Sequence, residues 1–485
     1  MHIDEIIRKI PGNTSPTPLA RLDCVSGEVK GSICMFAEKQ SHIQTRLEII
    51  LLVVGLSGGL IAMLLFLPSQ ILGDGVPRLQ AITELLERGQ LSKMPYSIVG
   101  PAFSSPLWFL GKLYQTSEWW CARYNLIVFV IGLLIIYLLL KDRVDRGLIR
   151  KFFLILIVAS MFPDNLANYY GEVFTAMLVG VGILAVVTEH RLGGWIAVVL
   201  GVVNTPASIL GLGFMVLNRI GKNKRLRYVL VVVAAAGLIA AEAWIRRGSP
   251  LNTGYQNDAG YKNLMPYSGE PGFSYPIFFG LLSILFSFGK GLFFFAPGLL
   301  LPVRSKLLKL QQEIKLDLYA VYMLWISFLV GLVLVYSHWW AWYGGWFWGP
   351  RFLLFASIPA SFALAVRLQY RDNSLKANLL TLLVLALSVW VGIDGAVFYQ
   401  KNLSICMAQN FSYEFLCHYV PEFSVLWRPF VVTAQLDMKE IAYVVYSVIV
   451  FIYLSFPLFV AIAKQTIVKT KNFKRVYSDL KSWRF

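Results

Sequence analysis

The sequence carries little charge for its length. Only 15% of its 485 residues are charged, whereas soluble globular proteins carry about 25%, and its mean hydropathy is +0.62. These values exclude an ordinary soluble protein. Repeated apolar segments, each close to the ~20 residues that cross a bilayer, instead predict an all-α, polytopic integral membrane protein.

Cysteine is scarce, with five residues in the chain, and no Cys/His spacing typical of a metal site is present. Cys24 and Cys34 lie in the predicted cytoplasmic segment at the N-terminus, and Cys121 lies near a predicted helix start. Cys406 and Cys417 share the last predicted outer loop, where they can pair if that compartment is oxidising. The sequence leaves both states of this pair open.

Acidic residues are outnumbered, with 27 Asp and Glu against 44 Lys and Arg and a formal net charge of +17. We do not expect nucleic-acid binding, because no basic stripe carries interleaved aromatic residues. The basic residues instead cluster in short loops and chain ends, as the positive-inside rule describes for cytoplasmic segments. The clusters are 141–151, 219–227, 304–315, 367–376 and 464–484.

The apolar segments predict about 11–13 transmembrane helices. Two segments are irregular. The segment 193–218 is interrupted at Asn204-Thr205-Pro206, where the residue before proline leaves the α region, so we expect two short spans that meet near the outer face. The segment 276–303 is broken at Gly289-Lys290-Gly291, which predicts a surface-lying half and then a span from about 291. The other segments are 48–70, 124–140, 150–163, 172–188, 226–245, 317–338, 351–367, 377–398 and 440–463.

These spans predict the organisation of the whole chain. We expect a cytoplasmic segment over 1–46 without a signal peptide, one membrane domain over 47–463, and a basic cytoplasmic tail over 464–485. Both termini then lie in the cytoplasm. In the first outer loop, 76–91 and 104–116 are amphipathic, and we expect them to lie along the membrane surface. The outer segments are 73–123, 246–275, 339–350 and 399–439.

Carboxylates gather at the predicted outer ends of spans. Asp74 lies between two glycines directly after the first span, and Asp164 and Glu172 follow the third. A charge in hydrocarbon costs about 2.5–3.5 kcal/mol on insertion scales, so such residues tend to line cavities or interfaces. Each also has a structural interpretation. Asp74 is a favoured N-cap residue, Glu172 suits a helix N-terminus, and Asp164 suits a turn.

Cations and aromatic rings occur at the same ends. Lys290 lies between two glycines, and His338 precedes an aromatic run that ends at Gly349-Pro350-Arg351. Arginine offers a bidentate fork for phosphate oxygens, and aromatic faces suit sugar rings and prenyl chains. Alternatively, Lys290 and Arg351 extend to the interface, and the tryptophans form an aromatic belt. An aromatic belt does not explain why glycines occur within this run.

Five motifs in order resemble those of lipid-carrier-dependent glycosyltransferases of the GT-C superfamily, which include protein O-mannosyltransferases and the lipid A aminoarabinose transferase. The resemblance spans about residues 48–360. One departure is Gly75, where the family commonly has a second acidic residue. The motifs are Gly73-Asp74 with Val76-Pro77-Arg78, Tyr170-Gly171-Glu172, Gly248-Ser249-Pro250-Leu251 with Gly254-Tyr255, Phe286-Ser287-Phe288-Gly289-Lys290-Gly291, and Trp342-Tyr343-Gly344-Gly345-Trp346-Phe347-Trp348-Gly349-Pro350-Arg351.

The resemblance implies a GT-C fold in the bacterial inner membrane. It implies transfer of one sugar, with inversion, from a polyprenyl-phosphate donor to a protein, lipid or glycan acceptor on the extracytoplasmic face. Asp74 is then the general base, and Lys290 and Arg351 hold the donor phosphate. The expected substrate-binding residues are Glu172, Asp164, His338, Tyr343, Trp346 and Tyr255. A divalent metal between Asp164 and Glu172 stays open, no other cofactor is expected, and we expect a monomer.

Two other functions remain alternatives. A flippase or transporter of lipid-linked glycans would place binding groups near the bilayer midplane on broken helices, usually in repeated halves. Asn204-Thr205-Pro206 is such a break, but the sequence has no internal repeat and its charges lie at the outer ends. An oligosaccharide ligase or polymerase would use the same kind of donor, but several arginines in long outer loops would be expected. Here Arg246 and Arg247 are the only adjacent pair in the outer segments.

Overall fold

The computed structural model describes residues 50, 53–55, 57–64, 69–114, 116–188, 190–256, 258–314, 316–345, 347–371, 374–398, 404–433 and 435–482. The chain divides into one unit over Met1–Val54 and a second over Gly55–Phe485, and nearly all described residues belong to the second. These residues form helices and turns without a strand. The all-α prediction is confirmed for them.

Six described helices are long and apolar enough to cross a membrane. Their composition supports a membrane-embedded protein, while the predicted count of 11–13 spans and their orientation stay predictions. The six are Ser117–Leu140, Leu226–Arg247, Leu318–Ser337, Arg351–Gln369, Leu375–Val397 and Met438–Ile467, and shorter apolar helices are Val53–Leu64, Glu172–Val187, Arg191–Asn204 and Ile277–Phe286.

From Gly75 onward the α-helices are numbered in chain order. They are α1 (Gly75–Arg88), α2 (Val99–Phe103), α3 (Ser105–Tyr114), α4 (Ser117–Cys121), α5 (Tyr124–Leu140), α6 (Arg146–Val158), α7 (Phe162–Leu166), α8 (Glu172–Val187), α9 (Arg191–Asn204), α10 (Ile209–Asn223), α11 (Val229–Arg247), α12 (Ile277–Phe286), α13 (Leu292–Phe295), α14 (Arg304–Glu313), α15 (Leu318–Ser337), α16 (Ser357–Gln369), α17 (Leu375–Val397), α18 (Glu414–Tyr419) and α19 (Met438–Ser482). Short 3₁₀ turns include Pro206–Ser208, Pro297–Leu300 and Arg351–Ala356.

The core is built from apolar helices that meet through small residues. Helices α8 and α9 approach so closely that a Cβ atom on Gly182 would lie 2.7 Å from the carbonyl oxygen of Gly194. Small residues allow this approach between membrane helices, where packing rather than hydrophobicity drives association. Helices α6 and α16 are buried along most of their length. The start of α8, which carries Glu172, is therefore held on a closely packed helix pair.

The predicted break at Asn204-Thr205-Pro206 is confirmed. Helix α9 ends at Asn204, Thr205 leaves the α region, and α10 begins at Ile209. The amide of Asn204 donates to the carbonyl oxygen of Gly171 at 2.9 Å and accepts from the Gly100 amide at 3.0 Å. The break thus fixes α2 of the first predicted outer loop to the residue before Glu172.

The segment 276–303 differs from the prediction in its second half. Helix α12 ends at Phe286 and the Gly289-Lys290-Gly291 break is present, but a continuous span from about 291 is not observed. Helix α13 ends after four residues because Pro297 follows Ala296, which adopts φ −135° as expected before proline. The chain then forms a 3₁₀ turn, Pro297–Leu300.

The predicted boundary between the membrane domain and the tail falls inside one helix. Helix α19 continues through 464 to Ser482 and contains Pro457. In the first predicted outer loop, 76–91 corresponds to α1 and 104–116 corresponds to α3. Their placement along a membrane surface stays a prediction.

Candidate functional site

Asp74 occupies the N-cap position of α1, yet its side chain makes no capping hydrogen bond. Its Oδ2 instead accepts a 2.6 Å hydrogen bond from Nη2 of Arg351. The turn before it depends on Gly73, which has φ +50° and whose Cβ, if present, would lie 2.4 Å from the Phe347 ring. N-capping therefore does not account for the Asp74 side chain.

Arg351 is the centre of this cluster and is only 5% exposed. Its Nη1 lies 3.6 Å from Oε1 of Glu172, and its Nε donates to the carbonyl oxygen of Gly344 at 2.7 Å. The guanidinium carbon lies 4.3 Å from the centre of the Phe347 ring. A planar guanidinium presents its donors in a fixed fork, so Arg351 bonds Asp74 and forms a longer ion pair with Glu172 at the start of α8.

The pKa of Asp74 is set by opposing effects. Burial acts to raise it, but the charge and hydrogen bond of Arg351, a hydrogen bond from Tyr96 and the charge of Arg78 together hold the pKa of this carboxyl below its ordinary value. The Asp74 side chain keeps 22% of its surface exposed. Asp74 is therefore an accessible carboxylate that is ionised at neutral pH.

Arg78 belongs to the same cluster, although the sequence predicted no role for it. It lies four residues after Asp74 on α1 and is 8% exposed, and its Nε and Nη1 have no hydrogen-bond partner within the part of the chain that the structure describes. Its guanidinium carbon lies 4.8 Å from the Tyr96 ring, and a Cβ on Gly171 would lie 2.8 Å from its Nη2. The i, i+4 spacing from Asp74 was the signal that could have found it.

Tyr255 lies beside this cluster. Its ring centre is 6.2 Å from that of Tyr96 and 5.8 Å from that of Trp339. Burial raises the pKa of Tyr255 to about 12, the charge of Arg78 acts in the opposite sense, and the charge of Asp74 adds to the rise. The phenol therefore stays protonated and can donate a hydrogen bond near Asp74.

The ammonium hydrogens of Lys290 are bonded to backbone oxygens and do not point toward Asp74 and Arg351. Its Nζ donates to the carbonyl oxygens of Gly345 and Gly349, both at 3.0 Å, and to that of Phe347. The residue is 3% exposed. An ammonium group has three donors, so these oxygens use all of them. In this structure Lys290 fixes the loop before Arg351, which differs from the predicted phosphate contact.

Asp164 is buried near α17. A Cβ on Gly395 would lie 3.2 Å from the Asp164 Cβ, and the neighbouring Asp394 accepts a 2.7 Å hydrogen bond from Nε1 of Trp348. Burial raises the pKa of Asp164 well above its ordinary value, against the charges of Lys290 and Arg351. A carboxyl in this state is suited to staying protonated inside the protein.

The divalent metal that the sequence left open between Asp164 and Glu172 stays a prediction. No three His, Cys, Asp or Glu side chains among them come together as a metal site. Glu172 pairs with Arg351, and no ion pair or hydrogen bond within the described part of the chain joins it to Asp164. The cation beside Glu172 and Asp74 is thus a guanidinium.

The remaining predicted substrate residues lie elsewhere or outside the description. His338 is exposed at the end of α15, where its Nδ1 lies 2.6 Å from the carbonyl oxygen of Tyr275. The ring of Tyr343 lies 4.4 Å from that of His418 on α18. Trp346 lies outside the described residues. Among the predicted substrate residues that the structure describes, Glu172 and Tyr255 therefore lie beside the Asp74–Arg351 pair.

The last predicted outer loop contains a disulfide between Cys406 and Cys417, which resolves the alternative that the sequence left open. The bond holds α18 to the turn Ser404–Met407. Helix α18 in turn contacts the glycine break, because the amide of Gly289 donates to the carbonyl oxygen of His418 at 3.0 Å.

Comparison with family models, with curated proteins and with solved structures finds no match to this chain. The resemblance to the GT-C superfamily therefore rests on the motifs alone.

Proposed function

We propose that this protein is a membrane glycosyltransferase that moves one sugar from a polyprenyl-phosphate donor to an acceptor, with inversion at the anomeric carbon. The observation that carries the proposal is the cluster in which Asp74 pairs with the buried Arg351, while Arg78 has donors without a partner among the described residues. A carboxylate beside two guanidinium groups provides a base and an anion site together. The motif order supports the same reaction.

Asp74 is the proposed general base. Its carboxylate is ionised and part of its surface is open to an incoming acceptor. A base within hydrogen-bond reach of the acceptor hydroxyl is typically worth about 10²–10⁴ in rate. When a phosphate draws Arg351 toward itself, the pairing with Asp74 weakens and the carboxylate becomes more basic. Donor binding thereby prepares the base.

Arg351 and Arg78 are the proposed ligands of the donor phosphate. A buried guanidinium with unpaired nitrogens is costly in an empty site, and phosphate oxygens satisfy those nitrogens with charge-assisted hydrogen bonds. Lys290 takes a different role from the one predicted. It positions Arg351 by holding the carbonyls of Gly345 and Gly349.

The transfer step balances with these groups alone. The acceptor oxygen forms a bond to the anomeric carbon as its proton passes to Asp74, and the bond from that carbon to the phosphate oxygen breaks. The electron pair leaves with the polyprenyl phosphate, whose growing charge Arg351 and Arg78 stabilise. A phosphate leaves without a proton, so no general acid is needed. Attack from the face opposite the phosphate gives inversion.

The proposal is tested with membrane vesicles from expressing cells, which supply acceptors, and a radiolabelled polyprenyl-phosphate-linked hexose. We expect transfer of label into the acceptor fraction to fall about 10²–10⁴-fold in Asp74→Asn. Glu87→Asn is the control, because Glu87 is an exposed carboxylate on the same helix, paired with Lys112. Full transfer by Asp74→Asn would overturn the assignment of the base.

Donor binding is tested separately with purified protein and polyprenyl phosphate, read as thermal stabilisation. Arg78→Met should weaken binding about tenfold or more, the effect of losing a hydrogen bond to a charged group. Arg88→Met, an exposed position on the same helix, should leave binding unchanged. Stabilisation by pyrophosphate-linked oligosaccharides rather than monophosphates would instead favour a ligase or a flippase.

A further inference from the structure

The connection between α1 and α2, residues 89–98, forms neither helix nor strand. Backbone amides and carbonyls in such a segment lack regular partners within it and are satisfied by contacts from elsewhere. This connection carries Tyr96, whose ring lies beside Arg78 and Tyr255. The position of Tyr96 therefore depends on what holds the connection in place.

Arg246 in the last turn of α11 bonds the backbone of this connection. It is 4% exposed, and it donates to the carbonyl oxygens of Ser92 at 2.8 Å, Met94 at 2.8 Å and Tyr96 at 2.7 Å. A further bond, at 2.6 Å, reaches Glu242 one turn earlier on the same helix. A guanidinium has five N–H donors, so these bonds use nearly all of them. Arg246 thus binds the protein's own backbone rather than a ligand.

Glu242 holds the residues that follow Tyr96. One of its carboxylate oxygens accepts from the amide of Ile98 at 2.9 Å, and the other accepts from the hydroxyl of Ser97 at 2.8 Å. Hydrogen bonds to charged groups are stronger than those between neutral groups. We call Arg246 and Glu242 the α11 clamp. The α11 clamp bonds residues on both sides of Tyr96 and so fixes the direction in which that side chain leaves the backbone.

The loop after α11 packs against the same connection. Gly254 has φ +83°, and a Cβ atom there would lie 2.8 Å from the Cα atom of Pro95. The next residue, Tyr255, meets the Tyr96 ring at 87°, with the ring centres 6.2 Å apart. Tyr96 is therefore held at its backbone by the α11 clamp and contacted at its ring by Tyr255.

The Tyr96 ring in turn lies against the guanidinium of Arg78. The guanidinium carbon is 4.8 Å from the ring centre, within the range of an attractive cation–π contact. Nε and Nη1 of Arg78 have no hydrogen-bond partner among the described residues. An aromatic face can hold a guanidinium without using its N–H donors, whereas a carboxylate or a carbonyl would use them. The Tyr96 ring thereby leaves these donors of Arg78 available to an anion.

We propose that Arg246 and Glu242 are positioning residues, which hold Tyr96 so that its ring orients the guanidinium of Arg78 toward a phosphate. Their effect on Arg78 requires no ligand. The phosphate step rests on the proposed function, in which Arg78 binds the donor phosphate. The two steps are therefore tested by separate measurements.

The first measurement is made without a ligand, on the full-length protein purified in detergent. Phenylglyoxal reacts with accessible guanidinium groups, and mass spectrometry of the digested protein follows its addition to Arg78, with the exposed Arg88 as the internal standard. We expect addition to Arg78 to be several-fold faster in Arg246→Lys, because an ammonium group lacks the fork that spans three carbonyl oxygens. Tyr96→Leu should have the same effect, since it removes the ring, whereas Tyr96→Phe keeps the ring and should react like the wild type.

The second measurement is the affinity for polyprenyl phosphate. Arg246→Lys and Tyr96→Leu should each weaken binding about tenfold, the effect of losing a hydrogen bond to a charged group. Tyr96→Phe should bind as the wild type does, which separates the ring contact from any role of the hydroxyl. The controls are Arg227→Lys, an exposed arginine just before α11, and Tyr114→Leu, a tyrosine that is 72% exposed.

Each outcome decides one of the two steps. Unchanged labelling of Arg78 in both Arg246→Lys and Tyr96→Leu would overturn the proposal, and Tyr96→Leu decides alone if Arg246→Lys does not fold. Faster labelling with unchanged binding would show that the orientation of Arg78 does not serve the phosphate and would overturn the second step. Faster labelling in a protein whose wild type binds no polyprenyl phosphate would support the positioning of Arg78 and contradict the proposed donor site.

Discussion

The guanidinium of Arg351 lies 2.6 Å from the carboxylate of Asp74, although 277 residues separate them in the sequence. One residue ends the turn before α1 and the other begins the 3₁₀ turn Arg351–Ala356. Glu172 approaches the same guanidinium from the start of α8. This contact brings three distant segments of the chain to one point, and several measurable consequences follow from it.

The first prediction concerns the coupling between these two residues. We expect Asp74→Asn and Arg351→Lys each to lower stability, because lysine lacks the fork that bonds Asp74 and Gly344 together. The double variant should lose less than the sum of the two single losses, by about 0.5–3 kcal/mol. Thermal unfolding in detergent measures all four proteins. Strict additivity would contradict the pairing, and Arg88→Lys on α1 is the control.

The second prediction concerns Lys290. Lys290→Met leaves one buried and two part-buried carbonyl oxygens without their donor, so we expect a loss of about 3 kcal/mol and faster hydrogen exchange at Gly345, Phe347 and Gly349. Lys309→Met removes an exposed lysine and should change neither. If Lys290→Met keeps its stability but loses polyprenyl-phosphate binding, the predicted phosphate contact is correct and the positioning role is wrong.

The third prediction concerns pH. Burial raises the pKa of Glu414 to about 7 from its ordinary 4.5, against the hydrogen bond of Tyr343 and the charge of Lys290. Because the folded protein holds this proton more tightly, the contribution to stability is complete below pH 4.5 and is lost as pH rises through about 7. The buried His418 next to Tyr343 acts in the opposite sense, because burial lowers its pKa well below the ordinary value and stability then rises with pH until the unfolded imidazole is neutral. A comparison with a Glu414 variant removes this contribution, because His418 is present in both proteins.

The measurement is the thermal midpoint of the wild type minus that of Glu414→Gln across this range. We expect the difference to fall by the equivalent of up to about 3 kcal/mol. Glu422→Gln, at an exposed site, should give a flat difference. A difference that rises with pH would mean that the charged carboxylate is the favoured form.

The fourth prediction concerns the disulfide. Replacing Cys406 and Cys417 by serine should cost about 2–3 kcal/mol, since the bond closes a short loop. Helix α18 should then become more accessible to proteases, because the turn Ser404–Met407 no longer holds it against Gly289. Reductant should reproduce this effect in the wild type and have none in the double serine variant. Insensitivity of the wild type would contradict the prediction.

Local signals predicted much of the fold. Proline and glycine residues predicted the helix breaks at Asn204-Thr205-Pro206 and Gly289-Lys290-Gly291. The lengths of the apolar segments predicted most of the helices. The continuous span expected from about 291 did not form, because Pro297 stops α13. The sequence already indicated that α13 would end there, since the residue before proline avoids the α region.

The sequence identified several residues of the candidate site but did not show which of them contact one another. Asp74, Glu172 and Arg351 were selected by their positions at the ends of apolar segments, yet nothing local showed that Arg351 would contact both carboxylates. Arg78 had a local signal in its spacing from Asp74. Glu414 had no local sequence signal, because its surroundings come from the loop 260–269, residues 340–343 and α18. These segments meet only in the folded chain.

The three carbonyl oxygens around Lys290 resemble the inner lining of a cation-binding cage. The ammonium bonds to the backbone oxygens of Gly345, Phe347 and Gly349 and not to side chains. The peptide path of this loop is therefore under tight constraint, and the positive φ angles of Gly345 (+76°) and Gly349 (+60°) favour glycine at both positions. The internal lysine thereby holds the loop before Arg351 through its backbone, so the position of the guanidinium depends on a residue that never touches it directly.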